Sequence, residues 1–350
     1  MNRYNHILGC LLGTAVGDAV GLRREGLSRQ RAMKMYGGSP LSPNLLLGLS
    51  FCSDDTEHTQ MVGRALIASI DNVEEFERHL ANQLRAWLLT VPAGVGLATV
   101  KACCKLLLGF SPKRSGVFSA GNGPAMRSAI LGVCIDSDTQ LCEFIRSSTR
   151  ITHTDPKAEE GALLVARAAR LKISGSKGDP VGFIDQACTE ICDEELRTNL
   201  QAVVVGLKKS KTPLEYCESQ GWSKGVSGYV NHTVPAALYC WANSPDNFRQ
   251  CVENAVLLGG DTDSVTAIAG AICGSNLGVD SIPAEWINQL SEWPRTVHWN
   301  EELAKSLVEV SEKQRSIKPP SMHWLATYPR NLLFTAIVLG IGFRRLLPPY

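Results

Sequence analysis

The chain has 350 residues, 44% of them hydrophobic and 20% charged, with a formal net charge of +1. That length suffices for one large domain or two smaller ones around a sizeable core. The near-neutral balance excludes the strongly basic face of a nucleic-acid binder, so Lys208-Lys209 and Arg344-Arg345 read as solvated pairs.

The opening stretch Ile7-Leu8-Gly9-Cys10-Leu11-Leu12 is apolar, is interrupted by Gly13 and Gly17, and has no small-residue cleavage site of a secretory leader. Twelve cysteines occur without a Cys-x-x-Cys, and Cys10, Cys134, Cys240 and Cys273 sit in apolar contexts where a thiol packs as a small core residue. A reducing, cytoplasmic setting is the expectation. Apolar residues at three- and four-residue spacing predict helices over 57–70, 73–88, 97–108, 124–133, 139–150 and 156–171, and then over 194–208, 234–241, 246–258, 264–273, 284–290 and 301–312. Asp155-Pro156 and Ser244-Pro245 each put a capping side chain before a proline at a first helical position. Strand-like alternation is scarce, and Val203-Val204-Val205 is too short to supply it. The expected fold class is therefore all-α, a compact multi-helix domain over 1–315, acting as a monomer. The Gly/Ser/Lys stretch 174–178 reads as a surface loop within it rather than a linker.

Residues 316–350 form an apolar tail of unassigned role. Within it, 332–343 is nearly all apolar but about half the length of a bilayer span. A buried terminal helix is the first expectation; a membrane-surface or partner-binding segment is the alternative.

Two short acidic clusters carry the chemistry: Ser53-Asp54-Asp55-Thr56 and Gly259-Gly260-Asp261-Thr262-Asp263-Ser264. Neighbouring residues in a regular helix point about 100° apart, so these carboxylates act together only where chain enters helix. Helix capping explains one Asp or Ser at each start, not two carboxylates at each of two starts. Oxygen-only ligand sets suit hard cations such as Mg²⁺, Mn²⁺ or Ca²⁺. Four carboxylates suffice for two ions, an arrangement used to activate water. An EF-hand is excluded, because the sixth and twelfth positions from Asp261 are Thr266 and Ile272.

Ser119-Ala120-Gly121-Asn122-Gly123-Pro124 opens a predicted helix, where glycines and unpaired N–H groups suit either a phosphate or a plain tight turn. Arg127, one turn further, points to a diphosphate or to water. His153 precedes another helix start and reads as a structural residue or a ligand contact; His58 reads as exposed or packed. Tyr229 and Phe118 have core packing as their default reading and stacking on a base as the alternative.

The order of these motifs resembles the ADP-ribosylglycohydrolase family, which includes dinitrogenase reductase-activating glycohydrolase. The resemblance is carried by Gly13-Thr14-Ala15-Val16-Gly17-Asp18-Ala19-Val20-Gly21, Glu25, Ser53-Asp54-Asp55-Thr56, Gly121-Asn122-Gly123, Thr152-His153 and Gly260-Asp261-Thr262-Asp263. It implies a compact all-α fold and a dinuclear Mg²⁺ or Mn²⁺ centre. By that similarity Ser53, Asp54, Asp55, Asp261, Asp263 and Ser264 are the metal ligands, with Glu25, Asp55 and Asp263 catalytic and Glu25 a candidate general base. Ser119, Gly121, Asn122 and Gly123 would hold the diphosphate and distal ribose, while His153 and Tyr229 would line the ADP-ribose cleft. Ser53 and Ser264 stand where threonine is usual, Gly94 where some members carry an aspartate, and Ala120 where some carry an aromatic. The implied reaction is hydrolysis of an ADP-ribosyl glycosidic bond on a protein side chain, arginine favoured, or on a small conjugate. The alternatives are a two-metal hydrolase of another ribosylated or phosphorylated small molecule, and a silent ADP-ribose-binding protein.

Overall fold

The computed structural model describes residues 2–173 and 178–348, so the loop expected at 174–178 lies, apart from Gly178, outside the described residues. These contain nineteen α-helices and, in place of a sheet, a handful of isolated bridges. Nine of these helices begin on a side-chain cap that accepts one of the otherwise unpaired first-turn amides. Asn72 accepts from Glu74 and Glu75, Asp155 from Lys157, and Asp193 from Leu196. Helix Glu194–Lys208 has the bounds its periodicity predicts, with Leu196, Leu200, Val203 and Val204 turned inward.

Four expectations need correction. The helix predicted over 124–133 is two short pieces, Gly123–Met126 and Ala129–Cys134. They separate at Arg127, whose buried guanidinium bonds Ser148 and Thr152 instead of reaching a diphosphate or water. The helix expected to start at Ser244-Pro245 starts at Phe248, capped by Asn247. The helix predicted over 234–241 runs Val230–Asn243 with Pro235 inside it. Proline removes the N–H that would bond Asn231, and the Asn231 carbonyl accepts Asn199 Nδ2 at 2.8 Å instead. The terminal helix is longer than its apolar core, Thr327–Arg345, and is buried along one face only, through Thr327, Arg330, Asn331, Phe334 and Ile337. With the preceding short turn it is 22 residues long, enough in length and composition to cross a membrane; so is 3–24, which is buried inside the protein.

The glycine-interrupted opening stretch is itself a helix, Arg3–Gly21, buried from His6 onward. It lies antiparallel against helix Thr262–Leu277 with backbone touching backbone. A Cβ on Gly9 would fall 2.2 Å from the Gly274 carbonyl oxygen, one on Gly13 2.3 Å from that of Gly270, and one on Gly17 2.3 Å from that of Thr266. At the end of this seam the Thr262 hydroxyl donates to the Gly21 carbonyl at 2.8 Å. The seam thus delivers the Gly21–Glu25 turn to the start of the second acidic cluster.

Candidate active site

The two acidic clusters, about two hundred positions apart, meet at one place. Ser53 is the N-cap of helix Asp54–Ser69, and Asp261 is the N-cap of helix Thr262–Leu277. Ser53 Oγ donates to Asp55 Oδ2 at 2.9 Å, and Ser264 Oγ donates to the same oxygen at 3.2 Å. Asp55 is therefore the point of contact between the motifs. Its other oxygen, Oδ1, and Asp263 Oδ1 are buried without a hydrogen-bond partner. A lone buried carboxylate oxygen is costly unless something fills its place.

A residue present in the opening motif, but given no role from the sequence, fixes the first cluster. Asp18, fully buried in the opening helix, accepts the Ser53 amide at 2.9 and 2.8 Å, the Thr56 amide at 3.2 Å and the Thr56 hydroxyl at 2.5 Å. It adds capping from another helix to that of Ser53 itself, whose Oγ accepts the Asp55 amide at 3.3 Å. A carboxylate inside the apolar run Ala15–Val20 was the available signal.

Burial pushes every carboxylate here upward, and neighbouring like charges add to it at Glu25, Asp54, Asp55 and Asp263. Burial raises Glu25 to about 7, with Asp261 and Asp18 adding to it and Arg345 opposing. Asp54 keeps part of its surface exposed, yet the surrounding protein and then Asp18 and Glu25 push it up to about 8. Asp18 is raised to about 6 by burial against the hydrogen bonds it accepts. Asp55 and Asp263 lie well above the usual carboxylate range, from burial first and then from their acidic neighbours. Asp261 is raised by burial, opposed by donors that include Asn122.

The donor chemistry fits hard divalent cations: carboxylates, two hydroxyls, two orphaned oxygens, and a stack of negative charge that a cation would relieve.

The glycine loop closes over this cluster. Asn122 Nδ2 donates to Asp261 Oδ2 at 2.7 Å, and the Asn122 amide donates to the Gly228 carbonyl at 3.0 Å. Gly259 and Gly260 hold φ values of +74° and +83°, and a Cβ on Gly260 would meet the Val226 oxygen at 2.0 Å, so only glycine fits this turn. Ser119 Oγ accepts the Gly121 amide at 3.3 Å. The helix opened by Gly123 has four residues, which removes the basis for the helix-dipole argument for phosphate at that end.

His153 lies buried under the loop: a Cβ on Gly121 would stand 3.0 Å from its Nε2 and one on Gly123 3.1 Å from its Cε1. Its Nδ1 pairs with the Thr152 hydroxyl at 2.9 Å, and burial, then Arg127, push its pKa down to about 3, leaving a neutral ring. His58 is packed edge-on against Trp87, with burial first and then the Arg127 charge holding it neutral. Tyr229 bridges to the loop opposite Gly121. Its half-exposed ring is pinned by its hydroxyl, which is bonded to Lys157 at 2.7 Å and to Glu195. Phe118 is exposed rather than in the core, and Gly94 is exposed as well.

A family model for ADP-ribosylglycohydrolase matches residues 1–317. An uncharacterized protein of Archaeoglobus fulgidus is 32% identical over 313 residues, spanning 86% of this chain and 95% of its own. The ADP-ribosylhydrolase ARH3 of Bos taurus is 28% identical across 87% of this chain and 93% of its own. The ADP-ribosyl-dinitrogen reductase glycohydrolase of Rhodospirillum rubrum is 26% identical across 82% and 90%. Among solved structures, a chain from an ADP-ribosylglycohydrolase-related protein complex superposes with a TM-score of 0.66 at 27% identity, covering 88% of this chain and 99% of its own. The chain belongs to the ADP-ribosylglycohydrolase family, hydrolases of glycosyl bonds.

Proposed function

We propose that this protein is a divalent-metal-dependent hydrolase that cleaves the bond between the distal ribose of ADP-ribose and an acceptor, releasing ADP-ribose. An arginine side chain is the first acceptor to test, with other protein side chains and small conjugates after it. The observation that carries the reading is the meeting of Ser264 and Ser53 on one oxygen of Asp55, beside two carboxylate oxygens that have no partner in the protein.

Ser53, Asp54, Asp55, Asp261, Asp263 and Ser264 would hold two Mg²⁺ or Mn²⁺ ions. When bound, such a pair supplies positive charge that stabilises oxygens developing negative charge during hydrolysis. The protein's own groups do the rest. Cleavage at an anomeric carbon passes through an oxocarbenium-like state, which the surrounding carboxylates favour electrostatically. Glu25, with a pKa near 7, is poised to take a proton from water at its carboxylate and return it at neutral pH. Asn122 orients Asp261, and Asp18 orients the Ser53–Thr56 turn. The glycine loop, backed by neutral His153, permits close approach of a diphosphate to the backbone. The setting proposed is cytoplasmic and the active unit a single chain.

The test is release of free ADP-ribose from arginine-linked and serine-linked substrates, with Mg²⁺, with Mn²⁺ and with chelator. Release from at least one substrate that chelator abolishes supports the reading. Tight ADP-ribose binding without turnover under every metal condition would make the chain a binding protein instead.

A further inference from the structure

The terminal helix Thr327–Arg345 lies beyond residue 317, where the family match ends. Each of its ends grips a segment that carries acidic site residues. Near its start, Arg330 Nη2 donates to the Cys52 carbonyl at 2.6 Å, and its Nε donates to Glu292 Oε2 at 3.2 Å. Glu292 in turn accepts the Cys52 amide at 2.6 Å. Both backbone polar groups of Cys52, the residue before Ser53, are thus held by one buried ion pair. At the far end, Arg345 Nη1 donates to the Glu25 carbonyl at 2.8 Å and its Nη2 to the Arg23 carbonyl at 2.9 Å. Between the two grips, Phe334 and Ile337 pack with Leu22, Leu45 and Phe51. The Phe51 and Phe334 ring centroids are 5.9 Å apart. Leu22 and Phe51 belong to the two segments being gripped.

We propose that the terminal helix is a positioning strap that sets the Glu25 turn against the Ser53-Asp54-Asp55 turn, with Arg345 the positioning residue for Glu25. Its significance for turnover rests on the proposed function. A guanidinium is a planar fork of donors that stays charged, so one Arg345 fixes two carbonyls in one plane. From the other side, the Gly26 amide donates to the Gly260 carbonyl at 2.8 Å. Gly26 has a φ of +72° with open space around its Cβ position, so on this side the turn is restrained by hydrogen bonds and not by packing at Gly26. Without Arg345 the turn is left to its backbone bonds, those of Gly26 and Leu27 with Gly260 and of the Glu25 amide with the Leu22 carbonyl, and a misplacement of about 1 Å in a reacting group can cost up to about a hundredfold in rate.

The experiment uses the full chain with Arg345→Gln, and Arg344→Gln as the control, since Arg344 bonds the nearby Leu347 and Pro348 carbonyls at the surface. Amide exchange is followed by mass spectrometry over 22–27 and 50–55, alongside kcat, KM and the thermal midpoint. Arg345→Gln is expected to speed exchange in 22–27 selectively and to lower kcat about tenfold or more, with KM within about twofold. Its thermal midpoint should stay close to that of the parent, and Arg344→Gln should match the parent throughout. Unchanged exchange over 22–27 would overturn the strap whether or not the protein turns over any substrate. Faster exchange with a parental kcat would overturn its role in positioning Glu25. The exchange arm needs no activity, so a failed functional assignment and a failed strap are seen separately.

Discussion

The Asp18 carboxylate receives the Ser53 amide at 2.8 Å and the Thr56 hydroxyl at 2.5 Å, so a residue of the opening helix caps the helix that carries the first acidic cluster. An amide in its place turns an NH₂ toward these donors. Asp18→Asn is expected to lower stability by about 2 kcal/mol, the scale of losing hydrogen bonds to a charged group. It should also weaken divalent-cation binding about tenfold or more, as outer-shell changes do. Thermal unfolding and a Mn²⁺ titration measure the two effects; parental values for both would show that Asp18 does not orient the cluster.

The buried carboxylates make the metal-free protein sensitive to alkali. In the folded state Asp18, Glu25 and Asp54 are raised to about 6, 7 and 8, against about 4 in the unfolded chain. The folded state therefore binds more protons between these limits, and its stability is fully present below the unfolded values and lost as pH rises through 6 to 8. The thermal midpoint in chelator should fall across pH 5 to 9, and added Mg²⁺ or Mn²⁺ should restore more of it at the upper end. A flat or rising profile in chelator would contradict these upward shifts.

Glycine at the helix seam is a packing requirement with a ready internal control. A Cβ on Gly13 would stand 2.3 Å from the Gly270 carbonyl oxygen, backbone against backbone, whereas one on Gly63 would stand 3.4 Å from the movable tip of Leu307. Alanine gains up to about 1 kcal/mol over glycine inside a helix. Gly63→Ala is thus expected to be neutral or stabilising, and Gly13→Ala to destabilise by about 3 kcal/mol as an overpacked core does. Denaturant midpoints decide it. Equal effects at both positions would mean that the seam relaxes freely.

Glu57, in the first turn of helix Asp54–Ser69, sits at the centre of a buried ionic cluster. It pairs with Arg295, lies 3.4 Å from Arg330 and accepts the Trp87 ring N–H. Removing one partner from such a cluster strands the others. Glu57→Ala should cost about 3 to 5 kcal/mol, and the Glu57→Ala, Arg295→Met double variant should recover part of that loss. A double variant that is additive in its damage would contradict the coupling.

How much of this was legible in the sequence depended on amphipathic contrast. Helix Glu194–Lys208 could be read because one side buries Leu196 and Leu200 while Glu194 and Lys208 face water. The opening helix is buried on all sides, so it has no polar face to set a period, and its glycines read as interruptions when they are the contact itself. The paired aspartates were visible because capping cannot account for two at each start. Asp18 was not, because its partners lie 35 and 38 positions away. Nor was the reach of Arg345 to Glu25, which spans 320 positions and depends on the path of the terminal helix.

The proposed function requires that Asp54 and Asp263, drawn from distant parts of the chain, serve one cation-binding hydrolytic centre. Asp54→Ala and Asp263→Ala, made separately, should each abolish most ADP-ribose release and each weaken Mn²⁺ uptake measured by calorimetry. Full ADP-ribose release by either variant would rule out this centre as the catalyst.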